Sequence, residues 1–221
     1  MKIIYWSDFN CPYCYIGNTR LKKAINELNL DIKMEMKAFE VEPEESDEIA
    51  TPMKNHYARK YGIPEFVAID ELKEIDEIGR QEGLNYDYSN SKITSSRNAH
   101  RLVKLASSKM DDELVENICE KLSRAFLCER KTLSDKEVLI EIGTSEGLNE
   151  KEIEEMLESD KYQVEVQIDE EDARLNSVNS VPFYFIEKGD ETLAIPGALT
   201  TEEFKNALKD LISGDIEDKL E

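Results

Sequence analysis

Only two of the 221 residues are histidine, one is tryptophan and four are cysteine. That stock leaves little with which to build a metal centre. Cys119, Cys128, His56 and His100 form no second ligand pair of the usual spacing, so no metal is expected. Basic residues are also scarce: 28 Lys and Arg stand against 49 Asp and Glu, a formal net charge of −21. Such a surface repels phosphate backbones and anionic lipid headgroups, so neither nucleic acid nor a membrane is an expected partner. Long apolar runs are missing too. No stretch approaches the roughly 20 residues that span a bilayer. The opening Met1-Lys2-Ile3-Ile4-Tyr5-Trp6 has too short an apolar run for a secretory leader, so the cytoplasm is the expected compartment. There a close cysteine pair is more often catalytic than structural. Repeats and low-complexity linkers are absent. Acidic clusters such as Glu44-Glu45, Asp111-Asp112-Glu113 and Glu170-Glu171-Asp172 read as solvated loop or helix-face charge.

What is present is a pair of thiols two residues apart, Cys11-Pro12-Tyr13-Cys14. It follows the apolar run Ile3–Trp6, a short buried strand, and precedes an amphipathic segment over 12–28 with Tyr15, Ile16, Leu21, Ala24, Ile25 and Leu28 at helical spacing. The pair therefore lies at a strand-to-helix junction. The free N–H groups and partial positive charge of a helix start favour a thiolate, the reactive species in disulfide exchange. Cys14 falls one turn in, within reach of Cys11. Pro12 suits the first helical position, where its missing N–H costs nothing. The arrangement reads as a redox dithiol, with half of a zinc site as the alternative.

With 40% hydrophobic residues the chain can bury a proper core. Residues 32–39 alternate, with Ile32, Met34, Met36 and Ala38 on one face, and read as a second strand. From about Thr51 to Asn176 the patterns are helical only. Helices are expected to start at Thr51-Pro52 and Pro64-Glu65, over Thr94–Ser107 and 112–128, after a Ser134-x-x-Glu137 capping box, and over 149–159 and 161–176. Strand signal returns at Phe183–Ile186 and Leu193–Ile195 around a turn at Lys188-Gly189-Asp190. A helix from Thr200 to Leu211 follows, and the polar stretch after Gly214 reads as frayed. The order is β-α-β, a helical block, then β-β-α. The ends, 1–48 and 177–221, make one α/β sheet domain, and 49–176 is inserted between them.

That order resembles the thioredoxin-like fold with a large all-helical insertion. The segments Asp8-Phe9-Asn10-Cys11-Pro12-Tyr13-Cys14-Tyr15-Ile16-Gly17, Phe39-Glu40-Val41-Glu42-Pro43, Asn98-Ala99-His100-Arg101, Ser134–Leu139, Ser180-Val181-Pro182-Phe183 and Pro196-Gly197-Ala198 resemble the FrnE-like branch of the DsbA oxidoreductases, nearly end to end and in family order. Cys-Pro-Tyr-Cys is also the glutaredoxin motif. Cys14 and Pro182 are too far apart for a domain of about 100 residues, which decides against glutaredoxin. The 2-hydroxychromene-2-carboxylate isomerases and kappa-class glutathione transferases share the outline but lack the second cysteine. One departure stands out: Ser180 replaces the glycine common before the Val-Pro pair.

The resemblance implies a thiol–disulfide oxidoreductase acting through a mixed disulfide, with Cys11 and Cys14 catalytic and a cis bond between Val181 and Pro182. Pro12, Tyr13, Val181 and Pro182 would line the substrate site, on a protein or small-molecule thiol or disulfide. No cofactor is required beyond glutathione as a thiol co-substrate. A glutathione-dependent transferase or isomerase is the alternative. His100 is a further candidate, leaning into the cleft from the insertion; the plain alternative is a polar side chain on a packed helix. His56 has no context and reads as surface. Cys119 reads as a small core residue and Cys128 as more exposed, on opposite sides of one helix and unpaired.

Overall fold

The computed structural model describes residues 1–214; the fraying expected after Gly214 lies outside the described residues. Strand β1 (Lys2–Ser7) runs parallel to β2 (Lys33–Ala38), connected by helix α1 (Pro12–Glu27). β5 (Phe183–Lys188) returns antiparallel to β1 and turns through Gly189, in the left-handed region, into β6 (Glu191–Pro196). The four form one sheet in the order β2-β1-β5-β6. A closing helix, α9 (Thr201–Ser213), starts at a capping box. The Thr200 hydroxyl accepts from the Glu203 N–H, and the Glu203 carboxylate accepts from the Thr200 N–H. α1 and α9 cover one face of the sheet, burying Ile3, Leu21, Tyr184, Ile186, Phe204 and Leu208 between them. This is the thioredoxin-like fold.

Between β2 and β5 come α2 (Met53–Tyr61), α3 (Glu65–Gln81), α4 (Arg97–Ser107), α5 (Asp112–Leu127), α6 (Lys136–Ser145), α7 (Glu150–Leu157) and α8 (Gln163–Leu175). They bury a second, larger core that includes Leu72, Leu102, Leu122, Phe126, Leu139 and Ile153, and Phe9, Tyr15 and Ile16 join it from the cysteine loop and α1. α8 folds back over the other face of the sheet, where Trp6 meets Ala173 and Val178. Trp6 Nε1 donates to the Asp169 carbonyl at 3.0 Å, and the Asp169 carboxylate accepts from the Ala38 N–H at 2.7 Å.

The insertion is not all helical. Thr51–Pro52 (β3) pairs antiparallel with Lys92–Ile93 (β4), and residues Tyr88–Asn90 form a 3-10 turn. Strands of two residues are too short to leave an alternating pattern in a sequence. Thr51 accordingly caps nothing, and α2 begins after Pro52. Likewise α6 is capped by Asp135, whose side chain accepts from Glu137 N–H, one residue beyond the Ser134 that the capping-box pattern suggests. Among the described residues no helix is long and apolar enough to cross a membrane.

Candidate active site

β1 ends at Ser7, and a tight turn, closed by Cys11 N–H donating to the Asp8 carbonyl at 3.2 Å, delivers the chain to α1. Cys11 is the N-cap residue, in extended conformation, with Pro12 in the first turn. It makes no side-chain cap, and the first turn carries no acidic residue, so the positive helix end faces the Cys11 sulfur without a carboxylate to neutralise it. Cys14, one turn later, is 1% exposed; Cys11 is 8% exposed, so Cys11 is the more accessible of the two sulfurs. Both are free thiols. Burial pushes the Cys14 thiol well up, and its hydrogen bond to the Cys11 sulfur adds to this; contacts with the Ser7 hydroxyl and Asp8 backbone act in the opposite sense.

Across from Cys11 lies the segment leading into β5. The Val181–Pro182 peptide bond is cis, and the Val181 carbonyl oxygen is 3.7 Å from Cys11 Sγ. Of this pair it is Val181 that lines the cleft. Pro182 is buried, and its carbonyl accepts from Gly197 N–H at 2.8 Å. A Cβ on Gly17 would sit 3.2 Å from the Pro182 ring and 2.6 Å from the Tyr184 hydroxyl, so α1 needs a glycine where it crosses β5.

The insertion braces this loop from behind. Tyr86 Oη donates to the Pro12 carbonyl at 2.6 Å, and Asn10 Nδ2 donates to the Thr94 carbonyl at 2.9 Å. Asn10 Oδ1 is buried without a partner. Asp8, also buried, accepts from Val41 N–H at 2.7 Å and Asn10 N–H at 3.3 Å. Its Oδ1 lies 3.2 Å from His100 Nε2. This corrects the expectation for His100. At 1% exposure it does not reach the cleft; it lies behind the cysteine loop, its ring 4.9 Å from that of Phe9. The helical pattern marks a packed face of α4 but not which side of the loop that face meets.

In front of Cys11 opens a cleft of about 360 Å³, whose walls include Pro12, Tyr13, Phe39, Tyr57, Tyr88 and Ser180. Tyr13, between the cysteines, is 43% exposed. His56 belongs to this wall rather than to the open surface. It is buried, with Nδ1 3.1 Å from Glu45 Oε1 and Nε2 3.2 Å from Glu42 Oε1. Glu42 also pairs with Lys60. Burial alone would raise the Glu42 carboxyl, but the bonds from His56 and Lys60 outweigh it and leave the group below its ordinary value. Spacing gave no sign of this cluster, because its acids come from the loop after β2 and its bases from α2. Glu42 and Lys60 stand eighteen residues apart.

Cys119, on α5, is partly buried with its sulfur 3.4 Å from Met36 Sδ, and Cys128 caps the same helix; both are free. Neither approaches the cleft. Among the described residues no group of three or more His, Cys, Asp or Glu side chains is placed to hold a metal ion.

Comparison with known proteins agrees with the architecture. A probable DsbA oxidoreductase from Streptomyces coelicolor superposes with a TM-score of 0.87 at 26% identity, covering 100% of this chain and 94% of the other. A 2-hydroxychromene-2-carboxylate isomerase gives 0.66 at 16% identity, covering 99% and 100%. The cytosolic disulfide reductase DsbM from Pseudomonas aeruginosa gives 0.66 at 14%, covering 96% and 99%, and has also been solved with glutathione. No curated protein sequence matches. The DSBA-like thioredoxin domain matches residues 2–209, and the chain belongs to that family.

Proposed function

We propose that the protein is a thiol–disulfide oxidoreductase working through Cys11 and Cys14. The observation that carries this reading is the stacking of two thiols at one helix start. Cys11 borders an open cleft, and Cys14 lies sealed beneath it, within hydrogen-bonding reach. In the reduced protein the Cys11 thiolate attacks one sulfur of a substrate disulfide. The S–S bond breaks, one substrate thiolate leaves, and a Cys11 mixed disulfide forms. Cys14 then loses its proton and attacks the Cys11 sulfur. The second substrate thiolate leaves, and the protein carries the Cys11–Cys14 disulfide. Two electrons pass to the substrate, and the reverse sequence oxidises a dithiol. The backbone beside Val181 offers an extended substrate strand-like pairing.

The named activities of the Streptomyces coelicolor protein and of DsbM support this chemistry, with glutathione as a small thiol co-substrate and a reducing, cytoplasmic setting. A glutathione-dependent isomerase on the same fold has no use for a second thiol, so Cys14 favours the dithiol reading. The test is insulin reduction with dithiothreitol as the electron source. Turnover is expected for the native chain, with none for Cys11→Ser and an accumulating mixed disulfide for Cys14→Ser. Full turnover by Cys11→Ser overturns the proposal.

A further inference from the structure

A second cavity lies away from the cysteine pair, where the sheet meets the insertion. It holds about 430 Å³ between α1, β2 and α5. Two ion pairs stand at its rim. Lys22 of α1 meets Glu116 at 2.8 Å, and Lys33 of β2 meets Asp112 at 2.9 Å. They tie α5 to both neighbours and engage two of the three carboxylates that line the cavity, Asp31 being the third.

The interior is rich in sulfur. Met34 and Met36, two residues apart on β2, share one face of the strand. Cys119 faces them from α5, and all three line the cavity. Cys119 Sγ lies 3.4 Å from Met36 Sδ. Met34 falls between that contact and the Lys33–Asp112 pair, along a strand and a helix that run side by side. Each of the three is partly buried, and the methionines border the open space rather than fill it.

Thiolate and thioether are soft donors and select Cu(I). Charge makes the same choice. A bare thiolate at Cys119 would be a charge among apolar side chains, and burial holds the group as the thiol. Bound to a monovalent cation beside two neutral thioethers, the thiolate becomes part of a neutral unit. A divalent ion would leave a net positive charge there. The net charge of −21 also raises the concentration of cations at the surface.

We propose that Cys119, Met36 and Met34 form a Cu(I) site separate from the dithiol. On binding, the Cys119 S–H bond breaks and its proton passes to water. A copper–sulfur bond forms in its place, and the two thioethers complete a three-sulfur set. No electron is transferred. The flexible Met36 side chain lets Sδ swing back from its contact with Cys119 to admit the ion.

The test removes the competing thiol pair with Cys11→Ser/Cys14→Ser. That full-length protein is titrated with Cu(I), under nitrogen with ascorbate, against the coloured Cu(I) chelator bicinchoninate. It is expected to withdraw about one equivalent of copper and to release about one proton, with sulfur as the only neighbour in the copper X-ray absorption spectrum. Adding Cys119→Ser should abolish the withdrawal, with Cys119→Ala in its place should the serine variant lose its circular dichroism. Met36→Leu and Met34→Leu should each weaken binding by about tenfold or more, no less than the loss of an outer partner costs a metal site. Cys128→Ser should leave binding unchanged, and Zn(II) should not displace the copper. No uptake by the Cys11→Ser/Cys14→Ser protein, uptake that survives loss of the Cys119 thiol, nitrogen neighbours, dependence on Cys128, displacement by Zn(II), or an unchanged affinity in either methionine variant each overturns the proposal.

Discussion

His100 Nε2 lies 3.2 Å from Asp8 Oδ1, with both side chains shielded from solvent and Asp8 three residues before Cys11. Asp8 in turn accepts from the N–H groups of Val41 and Asn10, so the pair fixes the loop that carries Cys11. His100→Ala removes a buried ring and one of the carboxylate's partners. It is expected to lower unfolding free energy by about 2–3 kcal/mol, read from the shift of the urea midpoint. An unchanged midpoint would mean that the pair does not hold the loop.

The unequal exposure of the two thiols predicts an order of modification. Iodoacetamide at neutral pH should label Cys11 before Cys14, because Cys14 is covered and burial holds it as the thiol. Peptide mass analysis at partial labelling reads this directly, and faster labelling of Cys14 would reverse the assigned roles.

Alkaline pH should weaken the fold through thiols remote from the site. Burial pushes Cys119 up to about 12 and Cys128 up to about 11 from an ordinary 9.0. As pH rises past the ordinary value, the unfolded chain releases protons that the folded chain keeps. The unfolded state then binds fewer protons, and stability falls with pH. The contribution is intact below pH 9.0 and is lost across the window up to about 12 for Cys119. Cys119→Ala should flatten that part of the slope in denaturant titrations.

Gly17 leaves no room for a larger residue. In Gly17→Ala the new methyl would meet the Tyr184 hydroxyl at 2.6 Å, Ala198 Cβ at 3.1 Å and Pro182 Cγ at 3.2 Å. The hydroxyl cannot swing freely, since it donates to Asn18 Oδ1 at 3.0 Å. A loss of about 1–3 kcal/mol is expected, with slower disulfide exchange as the Val181–Pro182 segment moves away from Cys11. A melting temperature matching the native one would show that the segment yields without cost.

Oxidation should give one intramolecular disulfide. Cys119 and Cys128 lie nine residues apart on α5 and its cap, roughly 13 Å of rise where a disulfide needs Cα atoms within about 7 Å. Peptide mapping after mild oxidation without denaturant should find Cys11 joined to Cys14 and the other two thiols alkylatable.

Much of the fold and of the cysteine site is legible in the sequence alone. β1, β2, β5 and β6 announce themselves by apolar alternation or short apolar runs, and α1 by its 3.6-residue spacing, because each buries a face against one continuous sheet. The cysteine pair is legible because its chemistry is local, four residues at one junction. β3 and β4 were not, being two residues each. The surroundings of His56 were not either, since the loop holding Glu42 and Glu45 has no periodicity and its position is set by packing against α2. His100 shows the limit most clearly. Its helix is legible over Thr94–Ser107 and forms over Arg97–Ser107, yet which way the helix face points depends on how α4 docks against residues 8–10, a relation carried by no local spacing.

The bond from Trp6 to the Asp169 carbonyl joins β1 to α8 across the seam between the sheet and the inserted helices. Trp6 is the only tryptophan in the chain, and it is buried at that seam. The molecule therefore carries a built-in optical gauge of its own closure. Ultraviolet excitation selective for indole reports on this one joint, and any loosening of α8 from the sheet would register as a red-shifted emission while the helical circular dichroism stayed constant.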